Sequence, residues 1–230
     1  IEALRATTDK PVVALVNTHF HGDHTLGNSA VPTSRIIAHR SAYERLATGG
    51  GAYRELLCGV RPDLAPEIAD LEFQLPTELV DDELVLDLGD VSVDIRHTGG
   101  HAHTTGDLVV LLPSHGIYVA SDLLFNGILP VARDADLAGW TAVLAEQRDS
   151  FTGEIVVPGH GAVGGRGLFD RQIEVLSTVV AAVTDTQSTG GSLGDARAAA
   201  LAAVGTLLHA DERIDAYVNQ IWTKEKNRSW

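Results

Sequence analysis

The chain is nearly without thiol: its 230 residues include one cysteine, Cys58. One thiol closes no internal disulfide and cannot build a cysteine-based zinc site, and Cys58 reads as a small buried hydrophobe. Cations are also scarce, with 17 Lys and Arg against 31 Asp and Glu and a net charge of −14. Phosphate backbones reward clusters of Lys and Arg, and none is visible. Nucleic acid is therefore not an expected partner, and an anionic membrane surface is disfavoured for the same reason. No apolar run approaches the roughly 20 residues that span a bilayer, and no stretch reads as a secretory signal. The chain starts at Ile1 rather than Met, and a cytoplasmic location is the expectation.

What remains is 44% hydrophobic with a mean hydropathy of +0.06. That suffices for one globular domain over residues 1–230 with a substantial core. Residues 1–10 read as the end of a helix closed by Asp9-Lys10-Pro11, followed by a buried strand from Val12 to Val16 and a second from Arg35 to Ala38. Residues 40–72 have helical periodicity interrupted by Gly49-Gly50-Gly51, Pro62 and Pro66, which predicts two or three short helices. Glu83–Leu88 and Val91–Ile95 alternate with period two across Gly89-Asp90, a hairpin signal. Asp107–Leu112 and Ile117–Ala120 form another strand pair, 136–150 a helix and Glu154–Val157 a strand; from Leu168 onward the pattern is mostly helical. Mixed strands and helices in this order suggest layered packing.

Residues capable of chemistry recur where strands end. They are His19, His21, Asp23 and His24; then His101 and His103 in Thr98-Gly99-Gly100-His101-Ala102-His103-Thr104-Thr105-Gly106-Asp107; then Ser121-Asp122; then Pro158-Gly159-His160-Gly161. Loops at strand ends carry reactive groups on a rigid scaffold. A single loop histidine is ordinarily a polar surface residue, but four such clusters in order are hard to obtain by chance.

The series His-x-His-x-Asp-His, His-Thr-x-Gly-Asp, Ser-Asp and Pro-Gly-His-Gly, from about residue 11 to 165, resembles the metallo-β-lactamase-fold hydrolases. The resemblance implies an α+β, four-layer αββα sandwich of two mixed sheets flanked by helices. The metal-binding core would occupy 11–165, and 166–230 would form a C-terminal helical part. The strands that usually precede the histidine motif have no room before His19, so the expectation is either that the chain is a fragment or that a shortened first sheet is completed in another way, for example by a second subunit in a homo-oligomer. Carried over residue by residue, His19, His21 and His103 would hold one metal. Asp23, His24 and His160 would hold another, and Asp122 would bridge both. His101 competes with His103; the following Thr-x-Gly-Asp favours His103 and leaves His101 at the rim. Imidazole and carboxylate without thiolate suit two zinc ions per chain, with iron or manganese possible.

Such a pair of ions would lower the pKa of a shared water to around neutrality, and the hydroxide would cleave an ester, thioester, lactone or lactam bond of a small molecule. Asp23 and Asp122 would be the catalytic carboxylates. The alternatives are a β-lactamase proper, a mononuclear iron oxygenase using His19, His21 and His103, and a truncated non-catalytic relative. Thr18 and Asp107 are candidates for orienting ligands; His39 and His97 sit at strand ends and read first as ordinary structural residues, with a place near the site as the alternative. His115 and His209 are expected in solvent. Phe125–Pro130 and the segment 40–75 are expected to wall the substrate pocket.

Overall fold

The computed structural model describes residues 2–69 and 74–228. A short helix α1 (Glu2–Arg5) precedes strand β1 (Leu15–Asn17), the helical turn α2 (Gly22–Thr25) and strand β2 (Ile36–His39). Helices α3 (Arg40–Val60) and α4 (Ala65–Ala69) lead to β3 (Glu78–Val80). Strands β4 (Glu83–Asp87), β5 (Ser92–His97), β6 (Leu108–Leu112) and β7 (Ile117–Phe125) follow. Then come helix α5 (Leu137–Ser150), strand β8 (Ile155–His160) and helices α6 (Gly167–Ser188), α7 (Leu193–Val204) and α8 (Ala210–Arg228).

These strands make two sheets, ordered β1-β2-β3 and β4-β5-β6-β7-β8. The smaller is parallel throughout. The larger is antiparallel from β4 to β7, with β8 parallel to β7. Strand β2 is buried over Ile36, Ile37 and Ala38, the continuous apolar run expected of a strand covered on both faces. Ile37 and Val80 of the small sheet pack against Leu86, Ile95 and Leu108 of the large one. Outside the small sheet, Ala38 packs with Ala42 and Leu46 of α3 and with Phe20. The largest core joins β7 to α5, α6, α7 and α8, around Trp140, Leu124, Phe169, Leu176 and Tyr217. The layers therefore run helix, sheet, sheet, helices, the expected α+β sandwich.

Several local expectations are corrected. Helix α3 runs unbroken through the glycine triplet. Its first turn is capped by His39, whose Nδ1 accepts from the Ser41 amide at 3.2 Å, and Ala42 and Leu46 anchor it. Packing and capping outweigh a glycine penalty of about 1 kcal/mol per residue. Strand β7 does not end at Ala120: it continues to Phe125, with a register shift around Ser121, whose φ is +48°. Strand β8 likewise continues into the Pro-Gly-His motif, and β1 is shorter than the expected strand and shifted to Leu15–Asn17. Strand β3 has no counterpart in the sequence reading; only three residues pair there. The end of the expected helical region, 70–72, lies outside the described residues.

Candidate metal centre

The four loop clusters converge at one edge of the sandwich. Strand β1 delivers Thr18 to His21, and α2 then carries Asp23 and His24. Gly22 does not need a special backbone angle for this: it is the first residue of a helical turn, with His21 in extended conformation just before it. His103 comes from the loop between β5 and β6, Asp122 from within β7, and His160 from the end of β8.

Two donor sets result, and Asp122 belongs to both. His19, His21, His103 and Asp122 are all buried; in the second set Asp23, His24 and His160 are partly open around the buried Asp122. Within each set one ligand atom from every residue lies within 4.8 Å of the others. In the first, His21 Nδ1 is 3.0 Å from both His19 Nε2 and His103 Nε2. Asp122 Oδ2 is 3.5 Å from His103 Nε2 and 3.9 Å from His19 Nε2. In the second, His24 Nε2 is 3.1 Å from Asp122 Oδ1, and His160 Nε2 is 3.2 Å from Asp23 Oδ2 and 3.4 Å from Asp122 Oδ2. A tetrahedral ion with bonds of about 2.0–2.1 Å separates its ligands by about 3.3–3.4 Å, so both sets have the right spacing for a cation at their centre.

The electrostatics fit a cation as well. Burial lowers the pKa of His19, reinforced by the neighbouring His103. Burial lowers that of His103 to about 3. Both are therefore neutral near pH 7, offering lone pairs rather than charge. Burial opposes ionisation of Asp122, yet the surrounding imidazoles, His160 and His24 first, hold its carboxyl far below the ordinary range. The same two histidines depress Asp23 against its own burial. The Asp122 and Asp23 carboxylates push His160 up to about 10 and, against burial, His24 up to about 9. Protons there occupy the place a metal would take. Among the described residues, His24 Nε2 and Asp122 Oδ1 are buried 3.1 Å apart without a well-aligned hydrogen bond, a cost that a shared cation removes.

The surroundings orient these groups. Thr18 Oγ1 lies 3.2 Å from His19 Nδ1 and 2.7 Å from Ser121 Oγ; the unusual backbone at Ser121 accompanies that contact. Asp107 accepts from the Thr104 amide at 2.8 Å and the Thr104 hydroxyl at 2.6 Å, fixing the turn after His103. Burial raises its carboxyl to about 7. His101 is outside both donor sets; its Nε2 faces the Asp134 carbonyl at 2.7 Å. His39 and His97 lie apart from the centre, stacked on each other with ring centroids 4.1 Å apart. His115 sits beside Ser114 in an exposed turn, and His209, at φ +61°, precedes α8 beside Glu212. Cys58 is half-buried, with Sγ 3.8 Å from the Ala65 carbonyl.

Of the expected pocket walls, Phe125 backs His160 at a centroid distance of 5.1 Å. From the segment 40–75, Arg45 reaches the site, 5.0 Å above the Phe20 ring. Asp134 was not anticipated. Its Oδ2 stands 3.1 Å from His21 Nε2, and its Oδ1 3.5 Å from Arg45. A carboxylate on the far nitrogen of an imidazole fixes the tautomer and leaves the near nitrogen's lone pair free. Nothing in Arg133-Asp134-Ala135-Asp136 distinguishes one aspartate from the other; only the chain's return toward His21 does.

The family model for the metallo-beta-lactamase superfamily matches residues 1–160. A linear primary-alkylsulfatase of Pseudomonas sp. (strain ATCC 19151) is 25% identical over 217 residues, 79% of this chain and 40% of that protein. A human protein named acyl-coenzyme A thioesterase MBLAC2 is 27% identical over 180 residues, 73% of this chain and 63% of that protein. The chain thus spans less than two thirds of the length of these curated relatives. Among solved structures, a metallo-beta-lactamase from Pontibacter korlensis superposes with a TM-score of 0.60 at 19% identity, covering 76% of this chain and 74% of that one.

Proposed function

Because the chain belongs to the metallo-beta-lactamase superfamily, we propose that it is a metal-dependent hydrolase of a small molecule, cleaving an ester, thioester, lactone or lactam bond at a two-cation centre. The observation that carries this reading is the pair of donor sets sharing Asp122. Its all-nitrogen-and-oxygen donors suit zinc, with iron or manganese as substitutes. Two bound cations would supply a hydroxide nucleophile from water near neutral pH.

In this reading His19, His21 and His103 hold one ion, Asp23, His24 and His160 hold the other, and Asp122 serves both. The two sites differ in access. The first set is buried, whereas the Asp23 side chain is 57% exposed. Substrate therefore approaches over the Asp23 side. Thr18 and Asp134 orient His19 and His21. Similarity to a named thioesterase and a named sulfatase supports hydrolysis of an activated acyl or ester group. The complete second donor set disfavours a mononuclear iron oxygenase, which needs only the first.

Elemental mass spectrometry on protein purified without added metal or chelator tests this directly. About two zinc ions per chain are expected, together with turnover of at least one of an acyl thioester, an aryl ester, a lactone and a chromogenic lactam. One iron per chain, or two zinc ions with none of the four probes hydrolysed, would overturn it.

A further inference from the structure

Helix α8 lies beyond the residues matched by the family model, yet it reaches the segment that carries Asp134. Three α8 side chains at i, i+4 and i+7, one helix face, donate to backbone carbonyls between β7 and α5. Arg213 Nη1 donates to the Leu129 carbonyl at 2.6 Å, Tyr217 Oη to Pro130 at 3.1 Å, and Gln220 Nε2 to Ala135 at 2.6 Å. The same segment is also held by the loop that carries His103. His101 Nε2 faces the Asp134 carbonyl at 2.7 Å, and the Asp136 amide donates to the Ala102 carbonyl at 3.0 Å.

Asp134 sits between these two supports, and its placement needs them. Its side chain is 25% exposed, and Arg45 competes for its other oxygen at 3.5 Å. A loop carboxylate with a 60% exposed guanidinium beside it can turn toward that cation and away from an imidazole unless its backbone is fixed. The supports are costly to break: Tyr217 is fully buried, so its hydroxyl has no water to replace the Pro130 carbonyl. Among the described residues Gln220 Oε1 is buried without a partner, and the bond that holds this side chain is the one its donor end makes.

We infer that Tyr217 and Gln220 are positioning residues for the metal centre: they fix residues 130–135 so that Asp134 keeps the His21 ring turned with Nδ1 toward His19 and His103. The inference rests on the metal-centre reading above and extends it to a helix outside the matched region.

Two readouts test it. In metal-free protein, the His21 Nε2–H resonance reports the bond to Asp134. In zinc titrations, the affinity of one of the two sites reports the consequence. Gln220→Ala is expected to speed solvent exchange at His21 Nε2–H and to weaken one zinc site about tenfold or more, leaving the other unchanged. Gln220→Lys, which keeps a donor, should restore both. Tyr217→Phe, which removes one oxygen and no volume, should act in the same direction. In an Asp134→Ala background, Gln220→Ala should add no further loss of zinc affinity, because its route to His21 is already gone. An unchanged His21 signal in Gln220→Ala and Tyr217→Phe, or fully additive losses with Asp134→Ala, would overturn the proposal. A wild-type chain that takes up no zinc, but whose His21 signal responds to Gln220→Ala, would sink the hydrolase reading and leave the positioning role standing.

Discussion

At the scale of single residues, the centre depends on how closely the backbone approaches it. Gly159 is the clearest case. A Cβ there would overlap Asp122 Oδ1 and stand 2.8 Å from the Asp122 amide. No relaxation of a flexible side-chain end relieves a backbone contact of that length. Gly159→Ala should therefore displace the one carboxylate common to both donor sets, reducing metal content at both sites while leaving the hydrophobic core intact. Elemental analysis alongside far-ultraviolet circular dichroism checks this; retention of two ions would show that Asp122 is not shared. The neighbouring histidines give a sharper contrast. His103→Ala removes a buried donor nitrogen from the first set and should lower the stoichiometry from about two ions to about one. His101→Ala removes a side chain outside both sets and should leave it at about two. The reverse pattern would exchange their roles.

At the scale of elements, two features of the small sheet's surroundings make predictions. Helix α3 carries Gly49 and Gly51 with open space where a Cβ would go, so nothing about packing requires glycine. Gly49→Ala and Gly51→Ala should each stabilise the chain by roughly 0.5–1 kcal/mol, read as a rise in the urea midpoint at constant slope; a fall would mean the helix needs its glycines. Beside the N-terminus of α3, the stacked His39 and His97 bridge β2 of one sheet and β5 of the other. Burial lowers both pKa values below 6.5. An imidazole with a depressed folded pKa contributes stability that is present above the unfolded value and is lost as pH falls through the folded one. Acidification below about pH 6.5 should loosen the contact between the sheets, and His97→Phe should shrink that loss. An unchanged difference in urea midpoint between pH 7.5 and 5 in His97→Phe would rule the pair out as its source. Elements of this kind also show where sequence reading succeeds and fails. The β4–β5 hairpin was legible because Gly89 adopts φ +96° in a tight turn flanked by alternating residues. The seven candidate ligands were legible as a set because their motifs recur in order after apolar runs, and the structure brings them together, although Asp122 lies within β7 rather than at a strand end. Strand β3 and the continuity of α3 were not, because three paired residues leave no period and a helix held by tertiary packing overrides its own glycines. Asp134 was invisible because its partner His21 is distant in sequence and the intervening register is set by α8.

At the scale of the whole molecule, the centre is a joint between layers. His19, His21, Asp23 and His24 follow β1 of the small sheet, whereas His103, Asp122 and His160 belong to the large one. Every cation held by either donor set therefore ties the two sheets together, in addition to the modest apolar seam of Ile37, Val80, Leu86, Ile95 and Leu108. The metal-free joint is also charged, with two depressed carboxylates facing two imidazoles whose pKa values are raised to about 9 and 10. A ligand that binds the folded chain alone stabilises it by about 2.7 kcal/mol at a hundred times its dissociation constant. For a chain of this length, 1 kcal/mol moves the melting temperature by roughly 2–4 °C, so each saturated site should be worth roughly 5–11 °C. Zinc at saturating concentration should therefore raise Tm by that amount per site, and a chelator should return it to the metal-free value without abolishing the helical signal, because the core around Trp140, Phe169 and Tyr217 contains no ligand. In Asp122→Ala both increments should vanish together, and in His103→Ala one should remain. A zinc-dependent rise that survived Asp122→Ala undiminished would place the bound ions somewhere other than between the sheets.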